Sequence, residues 1–409
     1  MSKPLVYVPR SLLDIYSQTL KQGDIHYGAA AVALDGESVF HFFDSEPERV
    51  YGQRWAALAL HAAAPLARQY VPREALLLTV YQGNARAYLY HRDVDEPIEA
   101  EVHLIPDASE ITSRSTGLLE TTVLAQKHVM IVGLGSGGSQ IALELAKAGI
   151  GQFTLVDFDR IDLSNVARHV AGVNDLGRLK TNVMREAILQ KNPSAQINTF
   201  NHDVDSHLPY IADALKGVDL LIAATDNNRS RFNLNALALE KRIPMLVGRA
   251  TTRAAGGDVL RVRPYEGPCY ACLFGAGLLG QEERSSIRQL RPQTPAYVSD
   301  ADVQATIQVG LASDIAPIAN MVVKLALVEL SRGLESGLKS LETDLAADFY
   351  LWGNRREDIF VKWPPLGYGF QQNTILRWYG VRATRNPTCP ACGEQTQKTV
   401  EGEDFFGGE

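Results

Sequence analysis

The stretch that most restricts the fold begins at residue 129, where the chain reads VMIVGLGSGGSQIALELAKAG. A short apolar run is followed at once by glycines spaced Gly133-x-Gly135-x-x-Gly138, and then by a helical pattern over residues 139–148. Such a strand–turn–helix unit leaves the first N–H groups of the helix open, and its glycines let a phosphate approach the backbone. Taken alone, the spacing also fits a merely tight turn. The residues beyond it read as strands at 153–156, 197–200, 220–223 and 245–247, alternating with helices at 180–190 and 229–241. Continuous Val/Ile/Leu strands separated by helices predict a parallel sheet covered on both faces, a Rossmann-like doubly wound α/β fold. Further on, residues 257–262, 349–354 and 359–363 read as antiparallel strands around a long helix at 315–334.

Residues 1–105 read as a separate small α+β domain. A helix is expected at 11–21, then a hairpin of 28–33 and 38–43 turning at Asp35-Gly36. The Ala/Leu-rich segment 53–69 reads as helical, 75–81 as a strand, and 85–91 with 101–105 as two more. The polar stretch 106–117 reads as a linker, 118–395 as the α/β domain, and the acidic residues 396–409 as a flexible tail.

Composition excludes several classes. With 45% hydrophobic and 21% charged residues over 409 positions, the chain is neither disordered nor fibrous. Its net charge of −7 gives no basic footprint for nucleic acid. The N-terminus lacks the apolar core of a secretory signal. The most apolar long segment, 314–334, is broken by Asp314, Lys324, Glu329 and Arg332, so it cannot supply the roughly 20 apolar residues of a membrane span. A soluble, cytoplasmic protein is expected.

Asp157 lies 19 residues past Gly138, at the end of the second strand. A carboxylate there can hold a ribose hydroxyl, which fits NAD and ATP equally. The following loop, LVDFDRIDLSNVARH, adds Asp159, Asn165 and Arg168, and Lys180 opens the next helix. Two cations at this spacing suit a triphosphate better than a dinucleotide. Asp226, in TDN, closes another parallel strand and could hold Mg²⁺ against phosphates. The cluster Thr225, Asp226 and Asn227 could equally cap the helix that follows.

All four cysteines fall in two C-x-x-C pairs, Cys269/Cys272 and Cys389/Cys392. Two such pairs converging in space form a closed Cys₄ site for structural Zn²⁺. A disulfide or free thiols are the alternatives.

Together, GLGSGGS, LVDFDRIDLSNVAR, GRLK, TDN, PCYAC and CPAC, in this order, resemble the ThiF/MoeB/ubiquitin-activating-enzyme superfamily over about two thirds of the chain. The resemblance implies an adenylyltransferase that activates the C-terminal glycine of a ubiquitin-like protein with ATP and Mg²⁺. By position, Gly133, Gly135, Gly138, Asp157 and Asp159 would line the nucleotide. Asn165, Arg168 and Lys180 would meet phosphates, and Asp226 would place Mg²⁺. It further implies a homodimer in which an arginine near the start of the module reaches the partner's ATP. Arg114 stands there, in surroundings that depart from the family's R-Y-x-R-Q pattern. A conjugating enzyme would be a further partner, and neither nucleic acid nor membrane is expected to be one.

With four thiols committed to zinc, none remains to accept the activated protein as a thioester. Relatives that carry such a cysteine place it in the segment that here holds Ala305. Either the enzyme only adenylates, or alanine has replaced a cysteine. The amino-terminal strands resemble the JAB/MPN isopeptidase fold, yet the H-x-H ligand pattern is absent, and His26, His41, His61, His91 and His103 are too scattered for a ligand set. An inactive or partner-binding domain is expected. The preferred reading is activation of a ubiquitin-like modifier in a bacterial conjugation pathway, such as antiviral defence. A sulfur-carrier adenylyltransferase comes next, followed by an NAD oxidoreductase and a silent scaffold.

Overall fold

The computed structural model describes residues 3–34, 38–45, 52–92, 94–106, 115, 117–275, 310–365 and 373–394. The chain forms two compact units, Met1–Ile111 and Thr112–Glu409.

The first unit holds β1 (Leu5–Pro9), α1 (Arg10–Thr19), β2 (Ile25–His26), β3 (Ala30–Leu34), β4 (Val39–Phe43), β5 (Gln53–Leu60), β6 (Ala75–Tyr81), β7 (Asn84–Tyr90) and β8 (Ile98–Ile105). The strands run β5-β3-β4-β1-β8-β7-β6, and β6 pairs back onto β5 in parallel, so the sheet closes on itself. Closure removes the unpaired edges through which strands add to other chains. One core draws Val6 and Val8, Phe40 and Phe42, Leu76 and Leu78 from alternate strand positions, with Leu13 and Tyr16 of α1. Here the expected helix at 53–69 is corrected. Trp55, Ala57 and Ala59 enter that core, while Leu58 and Leu60 join a second cluster with Leu77 and Tyr90. Residues Gln53–Leu60 form a strand that is buried on both faces over residues 57–60, and a 3₁₀ turn follows at Arg68–Tyr70; the continuous Ala/Leu run imitates a helix because no polar face interrupts it.

The second unit contains, in chain order, β9 (His128–Val132), α2 (Ser136–Lys147), β10 (Gln152–Val156), α3 (Leu163–Val166), α4 (Lys180–Leu189), β11 (Gln196–Phe200), β12 (Leu220–Ala223), α5 (Asn228–Glu240), β13 (Met245–Ala250), β14 (Gly256–Val262), α6 (Tyr270–Phe274), α7 (Ala312–Leu330), β15 (Phe349–Gly353) and β16 (Trp378–Val381). The sheet order is β11-β10-β9-β12-β13-β14-β15-β16, parallel as far as β13 and antiparallel beyond. Strand residues alternate between two cores. Val129 and Ile131 pack with α2 and α7, and Met130 and Val132 pack with α5. This is the α/β doubly wound architecture expected from the sequence.

The expected strand at 359–363 does not form. Residues Asp358–Phe360 make a 3₁₀ turn instead, and the third antiparallel strand is β16. The fully buried ring of Phe360 lies over Gly256 and Gly353, which lack the side chains that would block it. Phe360 therefore serves as a plug on the sheet, and its apolar neighbours gave the false strand signal. No helix among the described residues is long and apolar enough to cross a membrane.

Candidate functional site

The parallel order β10-β9-β12 reverses the direction in which strands are added at β9, because β10 and β11 extend the sheet on one side and β12 and β13 on the other. Ligands of open α/β sheets bind in the crevice at such a reversal, outside the carboxyl ends of the strands. Gly133 leaves β9 with φ +88°, and a Cβ there would stand 2.7 Å from the Ala224 carbonyl at the end of β12. Gly138 is more constrained, since its Cβ would fall 1.9 Å from the Gly133 carbonyl oxygen. Gly135 has nothing within 4 Å of its Cβ position and stands at the N-cap of α2, where no side chain caps the helix. The first N–H groups of α2 are thus left for an anion approaching on the open side of Gly135.

Asp157 is buried and accepts N–H bonds from Leu134 at 2.7 Å and Asp159 at 2.8 Å. Burial raises its pKa, opposed by Lys180 and by these two bonds. Its first task is to clamp the glycine loop, and its remaining lone pairs are what a ribose could use. Lys180 is buried at the start of α4, with its Nζ 2.7 Å from Asp159 and 4.0 Å from Asp157. To reach a phosphate it must exchange the Asp159 carboxylate for the new anion. Arg168 is half-buried, and its guanidinium makes no bond among the described residues. Asn165 spends its Oδ1 on the Asp162 N–H in a capping box at α3, leaving its amide N–H₂ group to donate elsewhere.

Helix capping after β12 falls to Asn227, whose Oδ1 accepts from the Ser230 N–H and hydroxyl. Asp226 is left exposed, with no side-chain partner among the described residues. Beside it, the buried Thr225 Oγ1 also lacks a hydrogen-bond partner. An orphan hydroxyl next to an uncommitted carboxylate fits a hydrated cation or a phosphate oxygen. Arg114 and Ala305 lie outside the described residues.

Sequence reasoning passed over His169. Its Nδ1 accepts the Ala171 N–H at 2.9 Å, so its Nε2 carries the proton and donates to the Leu134 carbonyl at 2.7 Å. Leu134 is thereby held at its N–H by Asp157 and at its carbonyl by His169. Burial lowers the His169 pKa and keeps the ring neutral. Its place directly after Arg168 was the available signal.

The four cysteines meet. Sγ separations are 3.7 Å for Cys269–Cys272, 3.7 Å for Cys269–Cys389 and 3.4 Å for Cys272–Cys392. A tetrahedron with metal–sulfur arms of about 2.3 Å has edges of roughly 3.8 Å, so the donor set fits Zn²⁺. The bond from Cys269 pulls the Cys272 thiol down to about 4, while that same pairing and burial push Cys269 up. A thiolate in this cluster suits a cation.

In the first unit, His41 and His103 flank the Tyr7 ring, each with centroids 5.3 Å away, and His61 Nδ1 bonds the Leu20 carbonyl. A cavity of about 390 Å³ there is lined by Tyr27, Arg54 and Trp55, and by none of the motif residues.

The model of the ThiF family matches residues 109–344. The Sulfur carrier protein ThiS adenylyltransferase of Escherichia coli is 31% identical over 153 residues, covering 37% of this chain and 59% of that protein. The Molybdopterin-synthase adenylyltransferase of Salmonella typhimurium is 33% identical over 160 residues, covering 38% and 63%. Ubiquitin-like modifier-activating enzyme 5 of Caenorhabditis elegans is 26% identical over 159 residues, covering 37% and 38%. The chain thus spans less than two thirds of the length of each of these relatives. Among solved structures, Escherichia coli MccB with succinimide superposes with TM-score 0.48 at 16% identity, covering 67% of this chain and 68% of that one. With the family model matched over more than half of its length, this chain belongs to the ThiF family.

Proposed function

We propose that the chain is an adenylyltransferase that uses ATP to activate the C-terminal glycine of a ubiquitin-like protein, in a bacterial modifier-conjugation pathway such as antiviral defence. The observation that carries this reading is the crevice at the β9–β12 reversal. The uncapped N-terminus of α2 opens there, the loop carrying Asp226 leaves β12 against Gly133, and Arg168 directly precedes His169, which bonds the Leu134 carbonyl of the glycine loop. NAD, with two phosphates, would leave Arg168 and Asp226 without a task.

The reaction joins two anions, so the site must supply positive charge and alignment. One oxygen of the glycine carboxylate forms a bond to the α-phosphorus, and the bond from that phosphorus to the bridging oxygen breaks. Pyrophosphate leaves with the bonding electron pair. The nucleophile is already ionised and needs no general base. The N–H groups of α2 hold a phosphate, and the Asp157–Leu134–His169 clamp fixes the loop that presents them. Arg168 and Lys180 offset the charge that develops on the leaving group, with Asn165 donating beside them. Mg²⁺ held at Asp226 would neutralise the phosphates further. Arg114 of a second copy would complete the site in a homodimer.

Zn²⁺ in the Cys₄ cluster would tie α6, which carries Cys269 at its N-cap and Cys272 within it, to the loop after β16 that carries Cys389 and Cys392. All four cysteines of the sequence lie in that cluster, so the acyl-adenylate would pass to a nucleophile on another molecule, such as a conjugating enzyme. The closed sheet of the first unit is assigned to binding that enzyme or the modifier.

Sulfur-carrier activation is the second reading, favoured by the higher identity to the two sulfur-pathway adenylyltransferases than to the modifier-activating enzyme. Pyrophosphate release from ATP·Mg²⁺ with purified candidate proteins separates the two. A burst with a ubiquitin-like modifier supports the first and a burst with a sulfur carrier the second. No release with any ubiquitin-fold protein sinks both.

A further inference from the structure

We propose that Tyr270, which lies inside the first cysteine pair, is a positioning residue for Asp226. It would link the metal cluster to the cation subsite of the nucleotide crevice, and this rests on the reading of Asp226 given above.

Asp226 is exposed and its side chain has no partner among the described residues, so the backbone on either side fixes its place. On one side Asn227 caps α5. On the other, the Thr225 carbonyl accepts two bonds from Arg231, at 3.1 Å from Nε and 2.5 Å from Nη2. Arg231 is itself buried, and its Nη1 donates to Asn228 Oδ1 at 3.2 Å. That same oxygen accepts the Tyr270 hydroxyl at 2.5 Å. The path from the cysteines to the loop therefore consists of three side chains, the buried Tyr270 and Arg231 and the half-buried Asn228 between them, joined by hydrogen bonds.

Tyr270 is well suited to hold one end of it. The side chain is fully buried, its backbone N–H donates to Asn235 Oδ1 at 2.8 Å, and its ring meets Phe232 edge-on at 5.0 Å. Asn228, Phe232 and Asn235 all belong to α5, so Tyr270 grips that helix along one face. Its position along the chain is set by the ligands Cys269 and Cys272 on either side. A metal that fixes the two sulfurs fixes the phenol, and the phenol occupies one lone pair of the amide oxygen that steers Arg231. Without that bond, Asn228 can turn, Arg231 loses an anchor, and the Thr225 carbonyl is held less firmly. Buried hydrogen bonds between polar side chains act as units, which makes such a path visible as coupling between substitutions.

The test compares ATP affinity with and without Mg²⁺, by calorimetry, in wild type, Tyr270→Phe, Asn228→Ala and the double variant. Tyr270→Phe keeps the ring and removes one O–H. Its metal content and its Mg²⁺-free ATP affinity should match wild type, while the gain in affinity from Mg²⁺ should fall roughly tenfold, as expected for loss of the hydroxyl's bond to Asn228, the long 3.5 Å contact from Arg249 Nη1 to the Tyr270 oxygen being lost with it. Asn228→Ala, which is not in the cysteine segment, should show the same loss, and the double variant should lose no more than either alone. An unchanged Mg²⁺ gain in both single variants, or losses that add, would overturn the proposal. If Tyr270→Phe loses its metal, Asn228→Ala still decides by whether its Mg²⁺ gain falls. A wild-type chain that binds ATP with no gain from Mg²⁺ overturns the Asp226 reading, and this proposal with it. Failure of the positioning role alone appears instead as a normal gain in wild type that the variants share.

Discussion

The two units make opposite use of their strands. In the first, β6 returns to β5 and seven of the strands form a closed ladder, with the short β2 paired on β5. In the second, the sheet stays open and reverses at β9, so the turns after β9 and β12 diverge and α2 begins with uncapped N–H groups. Both bury continuous apolar strands, yet among the described residues it is the open sheet that sets an uncapped helix N-terminus at a strand-order reversal. A nucleotide site on this chain is therefore a property of strand order more than of composition.

The sharpest way to break that contrast is to place a methyl group on a glycine in each unit. Gly138→Ala sets its Cβ within 1.9 Å of the Gly133 carbonyl, so the loop and α2 cannot keep their relation. ATP binding should be abolished in a titration, with the second unit destabilised by several kcal/mol in thermal melts. Gly83, in the β6–β7 turn at φ +75°, has nothing near its Cβ position. Gly83→Ala should cost only the strain of that φ, about 1–2 kcal/mol, and should leave ATP binding intact. ATP affinity unchanged in Gly138→Ala would show that the crevice is elsewhere.

Metal removal asks whether the cluster belongs to one unit only. Structural Zn²⁺ contributes on the order of 10 kcal/mol in small domains, so chelation should lower the melting temperature of the second unit strongly. The first unit contains no cysteine and its melting should not move. Equal shifts in both transitions, followed by calorimetry, would reject that assignment. Next in size, Asp226→Ala should reduce pyrophosphate release roughly 100-fold with little change in melting, because an exposed carboxylate is removed from the chemistry and from no packing. An unaltered rate would reject the Mg²⁺ role.

The contrast also explains what the sequence shows and hides. The parallel strands and their helices were legible because the period changes from strand to helix at each glycine or polar turn, as at Gly133. The glycine loop and the pairing of the cysteines were legible because their chemistry is local to a few residues. Closure of the first sheet was not, since the β5–β6 pairing depends on register between strands that look alike, and the Ala/Leu run of β5 carries no polar face to mark its period. Phe360 was misread for a related reason, because an apolar residue plugging the sheet resembles one within it. His169 escaped because its role depends on Leu134, 35 positions earlier, which only the fold brings near.

The smallest expected effect is a pH dependence confined to the open sheet's loop. His169 has a folded pKa lowered by burial, with Lys180 adding to this while the Leu134 bond and Asp175 oppose it. The unfolded chain then binds the proton more readily, so stability contributed here is complete above the ordinary histidine range and falls as pH drops through it. Protonation would also put a hydrogen on Nδ1, where the ring now accepts the Ala171 N–H, and would push that segment away. Acidification from pH 7.5 to 5.5 should thus weaken ATP binding modestly before the unit unfolds. His128 also has a lowered pKa in this unit, so the loop's share must be isolated by substitution. His169→Gln keeps an N–H donor for the Leu134 carbonyl and removes the titration, and it should flatten the acid side of the ATP-binding profile while leaving the neutral value near wild type. The same acid slope in His169→Gln would assign the effect to another titrating group.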